Sequence, residues 1–446
     1  MKQKKTSAIN IVFITLIGGS IIFASFNGKM QEITDASFQS AKDAVNLSIS
    51  LIGIMALWLG LIRVLEAGGL MKTLSHIIKP VMSRLFKDVP PDHPAMSAML
   101  LNMSASMLGL GNAATPLGIK AMIELNKLNP FKGVATNAMI LFLAINTSAI
   151  TVFPLGVIGL RTAAGSERPA DIFLPTLIAT TCSTFVGVFI ALWLAKRDKQ
   201  YLKKFNKFRF KYKLNEKKDI YEHINILDNI EKKYLHLQKG VSSFNKLISW
   251  ILISFLILAI IIGIYNSETI LIFIVEELIS FWLMPFLVMS IICYGINRGV
   301  LIYEAVTEGA KQGFNIAIKI IPFLVAILVA IGMFRASGAM DILVSILSPI
   351  TNFIGMPPDT LPMALVKPLS GQGAFGVMSS LLQRDPNSKS AFVASVMQGS
   401  TETTFYVLAV YFGSIGITKI RHALIAALCA DVTGILMACF SSAIFL

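Results

Sequence analysis

Charge is scarce in this chain. Only 14% of its 446 residues are Asp, Glu, Lys or Arg, against about a quarter in ordinary soluble domains. With 55% hydrophobic residues and a mean hydropathy of +0.70, that shortage excludes a water-soluble enzyme and leaves an all-α polytopic membrane protein. Cysteine is almost absent. Cys182, Cys293, Cys429 and Cys439 lie in apolar runs without paired spacing, so neither a disulfide framework nor a thiolate metal site is expected. The five histidines, His76, His93, His223, His236 and His422, fall in or beside polar loops at no ligand spacing. A Walker A loop, an HExxH helix and a Ser-His-Asp order are all missing, and the lone "GLGNAATPLG" lacks the strand–loop–helix setting that phosphate binding needs. The expectation is a protein with no catalytic residues, no metal and no cofactor.

The charge that is present is unevenly placed. The formal net charge is +14, and most of the excess sits in the N-terminal MKQKK and between Lys196 and Lys239. Basic loops in an apolar chain set membrane orientation, so nucleic acid is not an expected partner. The linker 196–245 carries fourteen basic and six acidic residues. It separates an N-terminal unit, 1–195, from a C-terminal unit, 246–446. Both the N-terminus and the linker are expected on the cytoplasmic side of an inner (plasma) membrane. The apolar segment Ile9–Phe26 follows MKQKK without a clean A-x-A site and reads as a retained span.

Further apolar segments fall near 46–66, 95–110, 134–160, 171–195, 246–264, 270–295, 314–334, 361–382, 390–413 and 421–446. Segments 95–110 and 361–382 are short or interrupted by Gly and Pro and read as re-entrant half-helices. Four spans and one re-entrant hairpin then carry the chain from the N-terminus to the linker. Gly68–Asp88 alternates apolar and basic residues at helical spacing and reads as an interfacial helix. Glu276 and Glu277 read as a loop or interface pair.

The sequence repeats itself. Ala41–Pro80 aligns with Ala310–Pro349 at a constant shift of 269, with thirteen of forty positions identical. Among these are Lys42/Lys311, Asn46/Asn315, Gly69/Gly338 and Pro80/Pro349, and Pro-Pro-Asp recurs at 90–92 and 357–359. Shared apolar bias alone gives about three or four matches, so the repeat is genuine. The copies differ in charge. Lys72, Lys79, Arg84 and Lys87 are answered by Asp341, Ser348, Phe353 and Met356. The first copy is therefore expected to turn on the cytoplasmic side and the second on the outside, as two gate-type repeats of inverted topology with broken helices meeting near the midplane.

Four polar interruptions fall where such copies converge: "LGLGNAATPLGIKAM", "AINTSAITVFP", "KPLSGQGAFG" and "MQGSTETTF". Gly and Pro free backbone groups that hydrocarbon does not satisfy, so these breaks must be buried in protein or line a cavity. The candidate substrate-binding residues are Asn112, Thr115, Asn146, Thr147, Ser148, Gln372, Gln398, Ser400, Thr401, Glu402 and Thr403. They offer donors and acceptors suited to a small polar solute or an ion. Asn146-Thr147-Ser148 corresponds to Gly399-Ser400-Thr401, and Glu402 stands where the first copy has Ala149. An acid this deep in a bilayer costs about 3 kcal/mol or more. It is either a coupling site for a proton or Na⁺, or a carboxylate capping a helix N-terminus. Lys367 is a candidate partner. Asp431 is a second intramembrane acid, with helix packing as its simpler reading.

"GLGNAATPLGIKAM" and "NTSAITVFPLGVIGLR" resemble the spore maturation protein A family. "MQGSTETTFYVLAVYFGSIGITKIRHAL" and "VKPLSGQGAFG" resemble the spore maturation protein B family. The chain looks like a fusion of the two, excluding the linker. This resemblance implies two nucleoside-recognition, or gate, domains, similar to parts of concentrative nucleoside transporters and of a ferrous-iron permease whose GTPase domain is missing here. It also implies a role in spore maturation where the host sporulates. The leading function is a transporter of a small polar solute or ion, a nucleoside-like solute included. The alternative is a non-transporting scaffold that recruits a partner through the basic linker, whose interleaved Lys, Tyr and Phe also suit anionic lipid. Expected partners are the solute and the lipid bilayer, with a homo-oligomer left open.

Overall fold

The computed structural model describes residues 8–91, 93–107, 114–148, 150–199, 201, 203, 235–239, 243–266 and 282–446. Among them the chain is helical throughout, with two isolated backbone bridges in place of any strand.

The first half runs α1 (Ala8–Asn27), α2 (Met30–Ala67), α3 (Leu70–Leu85), α4 (Pro94–Met107), α5 (Thr115–Lys127), α6 (Asn137–Thr147), α7 (Leu155–Ala163) and α8 (Phe173–Arg197). After the linker come α9 (Ser243–Asn266), α10 (Leu283–Asn297), α11 (Ile302–Ala336), α12 (Ala339–Phe353), α13 (Leu361–Val366), α14 (Gly371–Arg384), α15 (Lys389–Ser400), α16 (Thr404–Ser414) and α17 (Ala423–Phe445). Helices α10–α17 repeat the order of α1–α8, and α9 has no counterpart.

The repeat extends to detail. The turns that end α2 and α11 each carry a glycine in the left-handed region, Gly69 at φ 78° and Gly338 at φ 82°. Only glycine adopts that backbone without strain, which is why it recurs at this position. Helices α6 and α15 begin on hydroxyl N-caps, Thr136 accepting from the Met139 N–H and Ser388 from the Ala391 N–H, each at 3.2 Å.

Equivalent helices pack antiparallel. At 38 and 35 residues, α2 and α11 outrun a bilayer core, since about 20 residues suffice to cross one. Gly332 of α11 lies against Ser40 of α2, Gly313 against Met55 and Gly309 against Leu59, so one sequence rises as the other falls. These glycines let the backbones approach closely; a Cβ at Gly313 would stand 2.5 Å from the Met55 carbonyl oxygen. Helices α8 and α17 also run antiparallel. Ser441 donates to the Pro175 carbonyl at 3.1 Å and Ser183 to the Ala430 carbonyl at 2.8 Å.

The molecule has two ends. At the linker end, Ala135 N–H donates to Lys419 C=O at 3.0 Å and Lys419 N–H to Gly133 C=O at 2.9 Å. Arg421 fastens this end. Its Nε and one Nη meet Asp198 Oδ2 at 2.9 and 2.7 Å, its other Nη meets Asn137 Oδ1 at 3.0 Å, and its guanidinium lies 3.5 Å from the centre of the Tyr201 ring. The Arg421 backbone is left-handed at φ 55°, an uncommon state for a side chain of this size. Burial alone raises the Asp198 pKa, but the Tyr201 N–H and Arg421 outweigh it and hold the carboxyl below its ordinary value. Burial pushes the Tyr201 hydroxyl up to about 12. At the far end, Asn387 Oδ1 accepts from the Glu167 N–H at 3.1 Å, and Arg384 pairs with Asp359 at 3.3 Å.

These contacts fix the paths of the shorter helices. The pair α6–α7 runs from the linker end to the far end, and α15–α16 runs the opposite way. Helix α5 returns to the end from which α4 starts, so α4–α5 is a helical hairpin, and the Asp359–Arg384 pair closes α13–α14 in the same manner. The described parts of segments 95–110 and 361–382 lie in these two hairpins.

Three helices among the described residues are long and apolar enough to cross a membrane unaided: Pro169–Arg197, Lys246–Tyr265 and Ala423–Phe445. Leu328–Ala336 with Ala339–Ile346 qualifies only as a pair bent by 82°. Helix α3 has the amphipathic form expected of an interfacial element, with Met71, Ser75 and Met82 buried and Lys72, His76 and Lys79 on other faces. The Glu276–Glu277 pair lies outside the described residues.

Candidate functional site: the meeting of two broken helices

Each long path is broken halfway. Helix α6 ends at Thr147 and α7 begins at Leu155; α15 ends at Ser400 and α16 begins at Thr404. The breaks touch, since the Glu402 N–H donates to the Thr147 carbonyl at 2.8 Å. Each is braced by the neighbouring hairpin in the same way. The Val152 N–H donates to the Met107 carbonyl at 3.1 Å, and the Phe405 N–H donates to the Pro368 carbonyl at 3.0 Å.

In the first-half break the polar side chains are turned inward on their own helix. The Thr147 and Ser148 hydroxyls donate to the Ala144 carbonyl at 3.0 and 2.8 Å. Asn146 donates to the Phe142 carbonyl at 2.8 Å and accepts from the Tyr411 hydroxyl at 3.2 Å. Tyr411 comes from α16, and Asn102 of α4 also donates to its oxygen, at 3.3 Å. The ring stacks on Phe142 and passes over Gly118, where a Cβ would overlap the hydroxyl. Asn146 is thus a clamp between the halves. The signal in the sequence was the pair Asn102 and Gly118, a buried amide and a missing side chain in otherwise apolar helices.

The second-half break is different. Ser400 spends its hydroxyl on the Met397 carbonyl at 2.8 Å. Thr401 Oγ1, Thr404 Oγ1, Gln398 Oε1 and both oxygens of Asp431 are buried without a hydrogen-bond partner. The Thr401 and Thr404 hydroxyls stand close enough to act on the Asp431 carboxylate, at contacts that fall outside full hydrogen-bond geometry. Asp431 belongs to α17, whose Gly434, one turn on, leaves room for the Thr401 methyl. Lys367 is 2% exposed. Its ammonium donates to the Gln398 carbonyl at 2.5 Å and faces Glu402 and Asp431 at longer range. The Glu402 side chain is exposed, in contrast to the buried residues around it. The Glu402 carboxylate stands beside the Thr403 backbone N–H at the start of α16, and Thr403, the N-cap, makes no side-chain cap bond.

The remaining candidates stand around this centre. Thr403 lies over Gly371, where a Cβ would come within 2.6 Å of its hydroxyl. Gln372 and Thr115 occupy the first turns of α14 and α5, both half-buried. Asn112 lies outside the described residues, with the rest of the α4–α5 connection. A small apolar cavity of about 40 Å³ adjoins Asn146, lined also by Met103, Met107, Ile145 and Thr184.

Long apolar helices, paired antiparallel and broken around acids and buried hydroxyls, define a helical membrane protein built from two similar halves. Comparison with known proteins gives it a family. The nucleoside-recognition family, Gate, matches the chain at residues 48–164 and 317–418. Spore maturation protein A of Bacillus subtilis (strain 168) is 43% identical over 192 residues, 43% of this chain and 98% of that protein. Spore maturation protein B of the same organism is 45% identical over 158 residues, 35% of this chain and 89% of that protein. No solved structure matches. The chain belongs to the nucleoside-recognition (gate) family that includes spore maturation proteins A and B.

Proposed function

We propose that this protein is an inner-membrane transporter for a small polar solute, built from two gate repeats inverted in the bilayer. The observation that carries the proposal is the contact of the two half-way breaks at Glu402 and Thr147, with the Glu402 side chain left exposed beside it. Broken helices that meet at mid-depth around polar groups are the usual setting of a solute site in secondary transporters. The inversion is supported by the antiparallel packing of α2 on α11 and α8 on α17. It is supported also by α9, the unmatched apolar helix, because one additional crossing after a cytoplasmic linker starts the second copy from the opposite face. In this reading the N-terminal unit 1–195 and the C-terminal unit 246–446 each supply one gate domain, the N-terminus and linker are cytoplasmic, and the chain has no catalytic residues. Kinship with proteins named for spore maturation supports a link to that process in a host that sporulates. A nucleoside-like solute is the first class to assay.

Glu402, with the hydroxyls of Ser400, Thr401 and Thr403, holds the polar end of the solute and carries the coupling charge. Gradient-driven uptake into proteoliposomes should disappear in Glu402→Gln, while assembly and thermal stability stay close to those of the parent. Unchanged uptake would reject the assignment. A second reading, a scaffold acting through the linker, is favoured by the docking of both linker ends on the body. Gln238 donates to the Ala67 carbonyl at 2.6 Å, and Tyr201 lies beneath Arg421. Deleting 204–234 should leave solute flux intact in a transporter and abolish the cellular phenotype in a scaffold.

A further inference from the structure

The second break brings together three ionisable side chains, Lys367 and Asp431 buried and Glu402 exposed. Ionised together they sum to a single negative charge. Uncompensated charge in a low-dielectric interior is costly, and the buried Asp431 carboxylate has no positive group in contact with it. A compensating charge has a place to sit. Asp431 is 1% exposed, Thr401 5% and Thr404 0%, and their oxygens have no partner. Helix α15 ends against them at Ser400, with Thr401 extended as its C-cap. The last carbonyls of a helix lack intrahelical partners and carry its negative dipole end, which favours a cation.

Every unsatisfied atom here is an oxygen, the donor set of a hard cation. A divalent ion would turn the net charge positive, whereas a monovalent ion brings it to zero. Lys367 does not fill the place, because its ammonium is committed to the Gln398 carbonyl and closes no ion pair within 4.0 Å. The walls are tight. The Thr401 methyl sits where a Cβ at Gly434 would be 2.5 Å away, and the Thr176 methyl stands 2.6 Å from a Cβ at Gly399. Such packing admits a small ion more readily than a large one.

We propose that Asp431, Thr401, Thr404 and the Ser400 carbonyl at the end of α15 form a binding site for one monovalent cation of sodium size. The site deepens the transport reading by adding a buried cation at Asp431 beside the coupling charge of Glu402. It rests on that reading for its purpose, but the binding itself can be measured without flux.

The test uses the full-length protein in detergent, with melting temperature followed as NaCl replaces choline chloride at constant ionic strength. Sodium should raise the melting temperature saturably, and potassium should need at least about tenfold higher concentration. Asp431→Asn should abolish the sodium shift. Thr401→Val and Thr404→Val, milder changes that keep the fold if Asp431→Asn does not, should each weaken the apparent affinity about tenfold. Lys367→Gln should tighten it, because a repelling charge is removed. A parent protein indifferent to sodium, a response to pH alone, or an equal sodium shift in Asp431→Asn and both threonine variants would overturn the site. Solute uptake with no sodium binding would sink this inference and leave the transport reading standing. Saturable sodium binding with no uptake of any solute would do the reverse.

Discussion

The two breaks occupy equivalent places in the two halves and are braced by equivalent backbone bonds, yet their chemistry is opposite. At Asn146-Thr147-Ser148 the side-chain donors are spent on their own helix, and the Asn146 carbonyl oxygen accepts from Tyr411. At Gln398–Thr404 the acceptors outnumber the donors, and two acids and a lysine gather within reach. The duplicated fold therefore satisfies its polar groups in one break and leaves several without a partner in the other. Geometry is what duplication copies, whereas a site's chemistry turns on a few side chains that can diverge without disturbing the packing.

That asymmetry makes the variants unequal. The largest effect falls on Glu402→Gln, where gradient-driven uptake should drop at least about a hundredfold with little change in melting temperature, because the side chain is exposed and the amide oxygen can still accept from the Thr403 N–H. Next come changes to the clamp that joins the halves. Gly118→Val drives a side chain into the Tyr411 hydroxyl held by Asn102 and Asn146, and should destabilise the protein by about 3 kcal/mol in detergent melts. Tyr411→Leu in that background should recover part of the loss.

A direct contrast between the breaks is smaller. Thr401→Val should lower uptake about tenfold, whereas Thr147→Val, whose hydroxyl serves only its own helix, should change it less than about twofold. Equal losses would dissolve the distinction between the two breaks. The smallest effect concerns the linker end, remote from both breaks. Burial lowers the His422 pKa from 6.5 to about 4, with the Arg421 charge adding to it. On acidification the unfolded chain takes up that proton first, so stability is full above pH 6.5 and declines as pH falls from there towards 4. Asp198, held low by Tyr201 and Arg421, adds loss in the same direction at still lower pH. His422→Gln should flatten the upper part of this profile in melts taken across the range. A shift in solute specificity from the same variant would contradict the separation of linker end from site.

Much of this was legible beforehand. Scarce charge and long apolar runs announce a helical membrane chain, and the 269-residue shift announces two copies. Gly69 and Gly338 mark the same left-handed turn in each copy. The polar interruptions located both breaks and both hairpins, because a helix that loses its ladder in an apolar chain shows itself through Gly, Pro and hydroxyl residues. What stayed hidden was the division of labour among those polar residues. A threonine that bonds its own i−3 carbonyl, such as Thr147, and one left without a partner, such as Thr401, look alike in sequence. Tyr411 reads as one more aromatic in an apolar helix until Gly118, Asn102 and Asn146 are seen around it.

The sequence by itself determined that the chain is apolar, duplicated and interrupted at matching places, since composition and periodicity are local properties of the string. Only the tertiary structure decided that the interruptions touch, that Lys367 is held by the Gln398 carbonyl away from the acids, and that Asp431 faces Thr401 and Thr404 with no bond made. Those are relations between helices far apart in the chain, and the antiparallel packing of the two halves is what brings them together.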